Sequence, residues 1–419
     1  MERNSLVRHF QRAVVSVAAG TAFLYAAQTP AQEDVVVVGG TGWHCGEDPQ
    51  CFNRLHPDIP MAARALPGQT ILLKTRNSAD LQLDPDSTYV DPRDADPVRG
   101  TVHPLTGPVY IEGAQPGDVL AVTILDIDPG PFGATRITPN AFIGDRIPGP
   151  FSVTWRLNRR EAVSDALPGV RIPNASFPGI VTVLPGPEQH TAVLDREAAL
   201  AAAGGAVGLP QPIHASPAEI CGPQGSHRDE CLRTGPPREH GGNMDIRYMG
   251  VGVTVYLPCY VEGCGLGVGD LHFAQGDGEV AGTAIEMDAD VTLTTGLIKD
   301  GPELVRGPHF EGAAHLMDVP SRRFYATTGL PLKAAGDVPP DMAYLESPKA
   351  GELENLSKDI SLAARNALLE IIDYMVANQG LTPEQAYVVA SVAVDLRIGQ
   401  LVDVPNVGVT AILPLDIFD

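Results

Sequence analysis

Most apolar residues in this chain fall in short runs of the β type, broken by turn residues, and a helical period emerges only near the C-terminus. The runs lie at 35–38 (V-V-V-V), 69–75 (Q-T-I-L-L-K-T), 109–112, 119–127, 151–157, 180–184, 252–257, 280–286 and 291–298. Each is short, rich in Val, Ile and Leu, and bounded by Gly, Pro or Asp, the signature of strands. A-Q-P-G-D joins the runs at 109–112 and 119–127 and reads as a Pro-Gly turn. An alanine-rich helix is expected over 196–203, ended by Gly204-Gly205. Residues 357–378 place apolar side chains at 360, 364, 367, 368, 371, 372, 375 and 376, the stripe of an amphipathic helix, with Gly380 after it. Thr382-Pro383-Glu384-Gln385 is a capping box opening a second helix to about Val394. Both helices read as packing elements. Pro and Asp crowd 84–97, which reads as a long surface loop.

Composition narrows the class. With 44 Gly and 38 Pro in 419 residues, a loop-rich β protein is favoured. A net charge of −22 repels phosphate backbones and anionic lipid, which argues against nucleic-acid and membrane-surface partners. Residues 1–31 have the layout of a secretory signal, with Arg3, Arg8 and Arg12 preceding an apolar stretch from Ala13 to Ala27 and cleavage sites after Ala27 or Ala31. The apolar stretch is too short for a comfortable membrane span, so a secreted or periplasmic protein is expected, free of the membrane once the signal is removed. The six cysteines agree, because they fall in close pairs: Cys45/Cys51, Cys221/Cys231 and Cys259/Cys264. An even count behind an export signal implies disulfides, and three short loops are the simplest connectivity.

The chemistry is concentrated in residues 239–286. Asp245, Glu262, Asp270, Asp277, Glu279 and Glu286 fall there among glycines, together with His240 and His272. No G-x-S-x-G elbow is present, and the cysteines are committed to pairs, so a covalent nucleophile is poorly represented. Carboxylates and histidines remain, the equipment of metal-activated or base-activated water. If G-V-G-D-L-H-F is extended, Asp270 and His272 project from one face, as ligands to one ion would. H-G-G-N-M-D offers His240 and Asp245 on a glycine stem, and Q-G-D-G-E presents Asp277 and Glu279 two apart. Glu286 is expected at the end of the 280–286 strand, where burial without a partner would suit a general acid.

Four stretches carry a resemblance: H-P-L-T-G-P-V-Y-I-E-G-A (103–114), E-H-G-G-N-M-D (239–245), G-D-L-H-F-A-Q-G-D-G-E (269–279) and V-D-V-P-N-V-G-V-T-A-I-L-P (402–414). Together they resemble the acetamidase/formamidase family, whose members hydrolyse small amides to ammonia and a carboxylic acid. The resemblance implies a mainly β (α+β) fold, with a β-sandwich and barrel-like region and a C-terminal α/β portion. Segments 32–215 and 216–419 would then form one amidohydrolase unit. It implies a small amide substrate, a divalent metal, taken here as zinc, and a homo-oligomer. The expected ligands are Asp270, His272, Asp245 and His240. Glu279 is the expected acid/base, with Glu112 and Glu286 as further catalytic candidates, and Asn243, Asp277 and Gln275 are expected at the substrate. One departure stands out: family members tend to carry E-T-x-D where this chain has K-T-R-N (Lys74–Asn77). The loops at 84–97 and 210–238 also look expanded, which leaves room for a lactam or larger amide. A non-catalytic binding protein that keeps the pocket is the alternative from another class.

Overall fold

The β-type runs do become strands, and they pair into a large, mainly antiparallel sheet. The computed structural model describes residues 35–80, 101–137, 141–149, 151–202, 207–301, 307–318, 321–329, 332–333, 355–356, 359–400 and 408–419. The expected signal, the 84–97 loop, the Gly204-Gly205 helix stop and the start of the 402–414 motif lie outside the described residues.

The strands that place the site are β1 (Val36–Gly39), β2 (Thr70–Thr75), β3 (Leu105–Ile111), β4 (Val119–Arg136), β5 (Ser152–Leu157), β6 (Phe177–Thr182), β7 (Gly241–Asn243), β8 (Thr254–Pro258), β9 (Cys264–His272) and β10 (Glu286–Ile298). Their main path runs β5-β4-β10-β9-β6-β7. From it β2 branches along β10, β3 along β9 and β8 along β4, while β1 adds to β2 in parallel. Side chains at alternate positions of β2 (Ile71, Leu73) and β4 (Leu120, Val122, Ile124) are buried in one core with Trp155 and Val291. A smaller core around Phe52, Leu55 and Ile180 lies under the segment closed by Cys221 and Cys231.

β9 escapes a pattern reading because Gly265, Gly267 and Gly269 interrupt its apolar period, yet every residue in it is buried. The glycines are needed for packing. A Cβ on Gly267 would sit 2.5 Å from the Phe52 ring, and one on Gly269 would sit 2.3 Å from the Pro104 carbonyl. With β3 on one flank and β6 on the other, β9 meets β10 only at its tip, through Leu271–Met287 and His272–Glu286.

Two expectations need correction. Residues 280–285 are not a strand; Glu286 opens β10 rather than closing a strand of its own. The backbone groups of this stretch are taken by side chains from helix α3 (Pro383–Ala393). Tyr387 donates to the Val280 carbonyl, and Ser391 Oγ accepts the Ala281 N–H at 3.1 Å while donating to the Thr283 carbonyl at 2.7 Å. The alanine-rich helix, α1, runs Pro187–Ala202 and so begins earlier than expected. Proline at the first position suits a helix start, where its missing N–H costs nothing, and Glu188 follows in the first turn.

The C-terminal portion has the expected mixed character. α2 (Ile360–Gln379) is capped by Asp359, whose carboxylate accepts the Leu362 N–H at 2.9 Å, and ends at Gly380 with φ +67°. Thr382 and Gln385 complete the capping box of α3. Both helices pack on a sheet formed by β11 (Phe324–Gly329), β12 (Asp395–Gln400) and β13 (Gly408–Pro414). No described helix is long and apolar enough to cross a membrane. All three expected disulfides are present, Cys45–Cys51, Cys221–Cys231 and Cys259–Cys264.

Ser391 is fully buried and is the main strut between α3 and the 276–285 turn. Ser391→Ala strands one buried donor and one acceptor, a cost of about 1–3 kcal/mol. Urea unfolding should show a lower midpoint with unchanged slope; an unchanged midpoint would remove the strut from the account.

Candidate active site

The tips of β9 and β10 bring His272 and Glu286 side by side, and two loops deliver the rest. His272 Nε2 lies 3.4 Å from Asp270 Oδ1 and 3.3 Å from Glu286 Oε2. Asp245 arrives from the loop after β7, where Met244 and Asp245 both donate N–H bonds to the Gly179 carbonyl. Glu279 arrives on the turn held by α3. Ligand-capable atoms of Asp245, Asp270 and His272 lie within 4.8 Å of one another, and so do those of His272, Glu279 and Glu286.

The backbone is bent to achieve this. Asp245, Asp270 and Glu279 have φ of +48°, +56° and +41°. Left-handed conformations in residues with a side chain cost about 1–3 kcal/mol each and persist only where surroundings enforce them. Three of the seven such residues among the described ones meet at this cluster, which makes it the candidate site. Gly179, in β6, stands opposite Asp270 in the ladder. A Cβ there would lie 2.6 Å from Asp245 Oδ1 and 3.0 Å from Asp270 Oδ2, so glycine leaves room for both carboxylates.

His272 is oriented through its other nitrogen. Gln275 donates through Nε2 to the Asp245 carbonyl at 2.8 Å, so its Oε1 accepts from His272 Nδ1–H, also at 2.8 Å. That fixes the tautomer and leaves Nε2 facing the carboxylates. Phe177 packs edge-on against the same ring at 5.0 Å. His272 Nε2, Asp270 Oδ1, Asp245 Oδ1, Glu286 Oε2 and Asn243 Oδ1 are all buried without a hydrogen-bond partner. Buried polar atoms are normally satisfied, so the orphaned atoms of Asp245, Asp270, Glu286 and His272 itself, grouped about the His272 ring, fit a place for a further charged group.

Protonation follows from the crowding. Burial, then the Asp270 charge, push Asp245 up to about 7. Burial and Asp245 push Glu279 well above the ordinary carboxylate range. Burial opposes charge on His272, but Glu286 and Asp270 outweigh it and hold the imidazole well above its usual value. Burial would also raise Asp270, yet His103 and His272 reverse that and keep it below the usual range. Four carboxylates around one imidazole leave excess negative charge, which must be met by protons or by a cation.

Not every expected residue joins. The structure does not bring His240 to the cluster. Gly241 and Gly242 run beside β6 so that His240 sits level with Val183, about four residues or roughly 13 Å from Gly179. Its Nδ1 lies 3.0 Å from Thr182 Oγ1, and burial, with Arg238 nearby, lowers its pKa to about 3. Glu112 is also elsewhere. It follows β3 at the end paired with Cys264, roughly 20 Å along the strand from Gly269, and is exposed in an ion pair with Arg64 at 2.7 Å. Asp277 turns away from Glu279, because Gly278 (φ +107°) and Glu279 reverse the chain between them. Its carboxylate accepts from Tyr248, and its N–H donates to Asp395 at 3.3 Å. Glu286 does reach the site, though not as the unpaired acid expected, since His272 faces one oxygen and the Ala284 N–H bonds the other at 2.9 Å. Asn243 lies beside Asp245.

The sequence reading missed His103 and Gly179. His103 Nε2 approaches Asp270 Oδ2 to 4.0 Å, and its N–H donates to Thr234 Oγ1 at 2.6 Å, so the expanded 210–238 loop reaches the rim of the site. Its signal was available as the first residue of H-P-L-T-G-P. The Asn77 part of the K-T-R-N departure has a local explanation. Asn77 donates through N–H and Nδ2 to Asp288 Oδ1 at 2.7 and 2.9 Å. An acid at 77 would meet Asp288 as a like charge, whereas asparagine supplies donors.

The fold is shared with a known hydrolase. The gamma lactamase from Delftia acidovorans superposes with a TM-score of 0.79 at 31% identity, covering 92% of this chain and 93% of that one. The chain's relatives by sequence put it in the class of amidohydrolases acting on carbon–nitrogen bonds other than peptide bonds. More closely still, residues 43–419 match the Acetamidase/Formamidase family, and the chain belongs to it. It is 32% identical to a formamidase of Methylophilus methylotrophus over 89% of this chain and 90% of that protein. It is 33% identical to an acetamidase of Mycolicibacterium smegmatis over 80% and 84%.

The raised groups set a pH dependence. Asp245 binds its proton more tightly folded than unfolded, so cation-free protein loses stability as pH rises from 3.8 to about 7. His272 adds a loss above 6.5, while Asp270 acts only on acidification below 3.8. The unfolding temperature of chelator-treated protein should therefore fall between about pH 4.5 and pH 7.5. Asp245→Asn should make the fall shallower, which separates the site from the general repulsion of a −22 chain. Identical profiles for the two proteins would contradict the assignment.

Gly179→Ala should displace the carboxylates by up to about 1 Å and lower turnover by about 100-fold, with unfolding still cooperative. Normal turnover would show that the Gly179 gap has no catalytic importance.

Proposed function

We propose that this protein hydrolyses small linear amides, of the formamide and acetamide kind, to ammonia and a carboxylate by water activated at the Asp245–Asp270–His272 cluster. The observation that carries this reading is the set of buried, unpartnered ligand atoms on Asp245, Asp270, His272 and Glu286, with Glu279 alongside. Among the described residues, the donor set is one imidazole and several carboxylate oxygens, which suits a zinc-class divalent cation. Asp245, Asp270 and His272 would hold it, Gln275 would orient His272 from behind, and the bound ion would supply Lewis-acid polarisation.

Glu279 carries the proton. Its ionised form takes a proton from the attacking water as the new C–O bond forms. Its protonated form then gives that proton to the departing nitrogen as the C–N bond breaks. Burial and the neighbouring carboxylates raise its pKa well above the ordinary carboxylate range, the direction a group that must hold a proton for the leaving nitrogen requires. The products are a carboxylate and ammonium, so water supplies the oxygen and the transferred hydrogen. Asn243, beside Asp245, would contribute its amide to substrate positioning, whereas Gln275, expected at the substrate, has both ends of its amide engaged by His272 and the Asp245 carbonyl.

The signal-like segment at 1–31 and the three disulfides support export to an oxidising compartment. A second reading, a cyclic amide substrate, is favoured by the likeness to the Delftia acidovorans lactamase. Lactam opening releases no ammonia, so the leaving group separates the two.

Ammonia release from formamide and acetamide is the first measurement; hydrolysis of lactams alone would replace the linear-amide reading. Glu279→Gln keeps shape and hydrogen bonding but loses the transferable proton, and should lower kcat by at least about 100-fold with little change in KM. Retained turnover would remove Glu279 from the proton path. Chelation should abolish activity and zinc restore it; full activity in protein shown to be metal-free would end the cation reading.

A further inference from the structure

A second constellation lies outside the amide site, where the 54–58 segment meets the loop closed by Cys221–Cys231. Leu232 and Arg233 pair antiparallel with Leu55 and Arg54, which sets His56 and Asp58 against His227 and Glu230. The histidine rings stack with centroids 4.0 Å apart, and His190 of α1 packs edge-on against His56 at 4.6 Å. Ligand-capable atoms of His56, Asp58 and His227 all lie within 4.8 Å of one another.

We propose that His56, Asp58 and His227 form a second binding site for a zinc-class divalent cation, distinct from the amide site. The hydrogen bonds present His56 in the form a ligand requires. His56 Nδ1 accepts the Asp58 N–H at 3.1 Å, so that nitrogen carries a lone pair and no proton; its Nε2 faces Glu230 Oε2 at 3.8 Å. Glu230 Oε2 also lies 2.8 Å from His227 Nδ1, and Asp58 Oδ2 lies 3.1 Å from His227 Nε2, so both ring nitrogens face carboxylates and a cation would stand in place of a proton between Nε2 and Asp58. Glu230 therefore stands behind both rings as the carboxylate that orients metal-binding histidines commonly does. The nitrogen–oxygen separations on the ligand side are 3.1 Å for His227 and 4.0 Å for His56. Arms of about 2.0–2.2 Å at a tetrahedral angle span roughly 3.3 Å, so small side-chain shifts close the site. A cation would take the place of the Asp58 N–H at His56 and leave water in the remaining position.

The backbone under these side chains is already fixed. His227 donates its N–H to the Ile220 carbonyl at 2.8 Å, and Glu230 and Cys231 donate to the His227 carbonyl at 2.9 and 3.2 Å. His190 Nε2 donates to the Glu230 carbonyl at 2.9 Å. Asp58 and His227 are exposed enough for a cation to enter from solvent, with side-chain exposures of 63% and 29%. Occupancy would clamp the 221–231 loop to the 54–58 segment. Thr234, three residues beyond Cys231, supports His103 at the rim of the amide site.

The test uses full-length protein stripped with chelator and titrated with zinc alone, with bound metal counted per chain after gel filtration. Wild type should bind one equivalent more than His227→Ala and than Asp58→Ala, and zinc should raise the unfolding temperature of wild type more than that of either variant. Asp58 is exposed, so its replacement leaves the fold intact even if His227→Ala does not fold. Neither residue belongs to the amide site, so amide turnover by Asp58→Ala at saturating zinc should match wild type. Equal zinc stoichiometry in wild type and Asp58→Ala would overturn the proposal, whatever the fate of the amidase reading.

Discussion

Excess buried negative charge is the constraint around which the site is organised. Asp245, Asp270, Glu279 and Glu286 surround a single imidazole, and burial removes the water that would otherwise screen them. Such a group is stable only if protons or a cation supply the missing positive charge. Protons explain the raised pKa values of Asp245 and Glu279. A divalent ion answers the same need and also accounts for orphaned oxygens and nitrogen aimed at one point. Under the proposed mechanism, Glu279 is the carboxyl that this crowding prepares to hold a proton.

Holding these groups together takes unusual backbone. Three acids adopt left-handed conformations, and Gly179 contributes empty space where any side chain would collide with Asp245. The strain is opposed by structure some way off. α3 grips the turn that carries Glu279 through Tyr387 and Ser391, and β9 is locked between β3 and β6 by glycines that permit close approach. Helix α3 is thus a packing element with a direct consequence for the site, because it fixes the turn that carries Glu279.

Local signals were legible in the chain and long-range ones were not. The Thr382 capping box, the Gly380 stop and the strands at 69–75 and 119–127 depend on near neighbours, and the structure reproduces them. Asp270 and His272 could be placed on one element by their spacing. His240 and Asp245 share a loop, but only the pairing of β7 with β6 decides that the acid reaches the cluster and the histidine does not. Asp277 and Glu279 look equivalent as letters, yet the positive φ values of Gly278 and Glu279 send them to opposite sides. Glu112 was carried by a motif whose local sequence says nothing of Arg64, its actual partner. Gly179 has no side chain to announce a role; its importance lies in what a Cβ would strike.

The most direct test of the central claim is anomalous X-ray diffraction from crystals of protein purified without added metal, collected above and below the zinc edge. A peak within about 2.3 Å of Asp245, Asp270 and His272 ligand atoms is the predicted result. An active crystalline enzyme with ordinary water and no anomalous signal at that point would contradict the account, leaving protons alone to balance the four carboxylates.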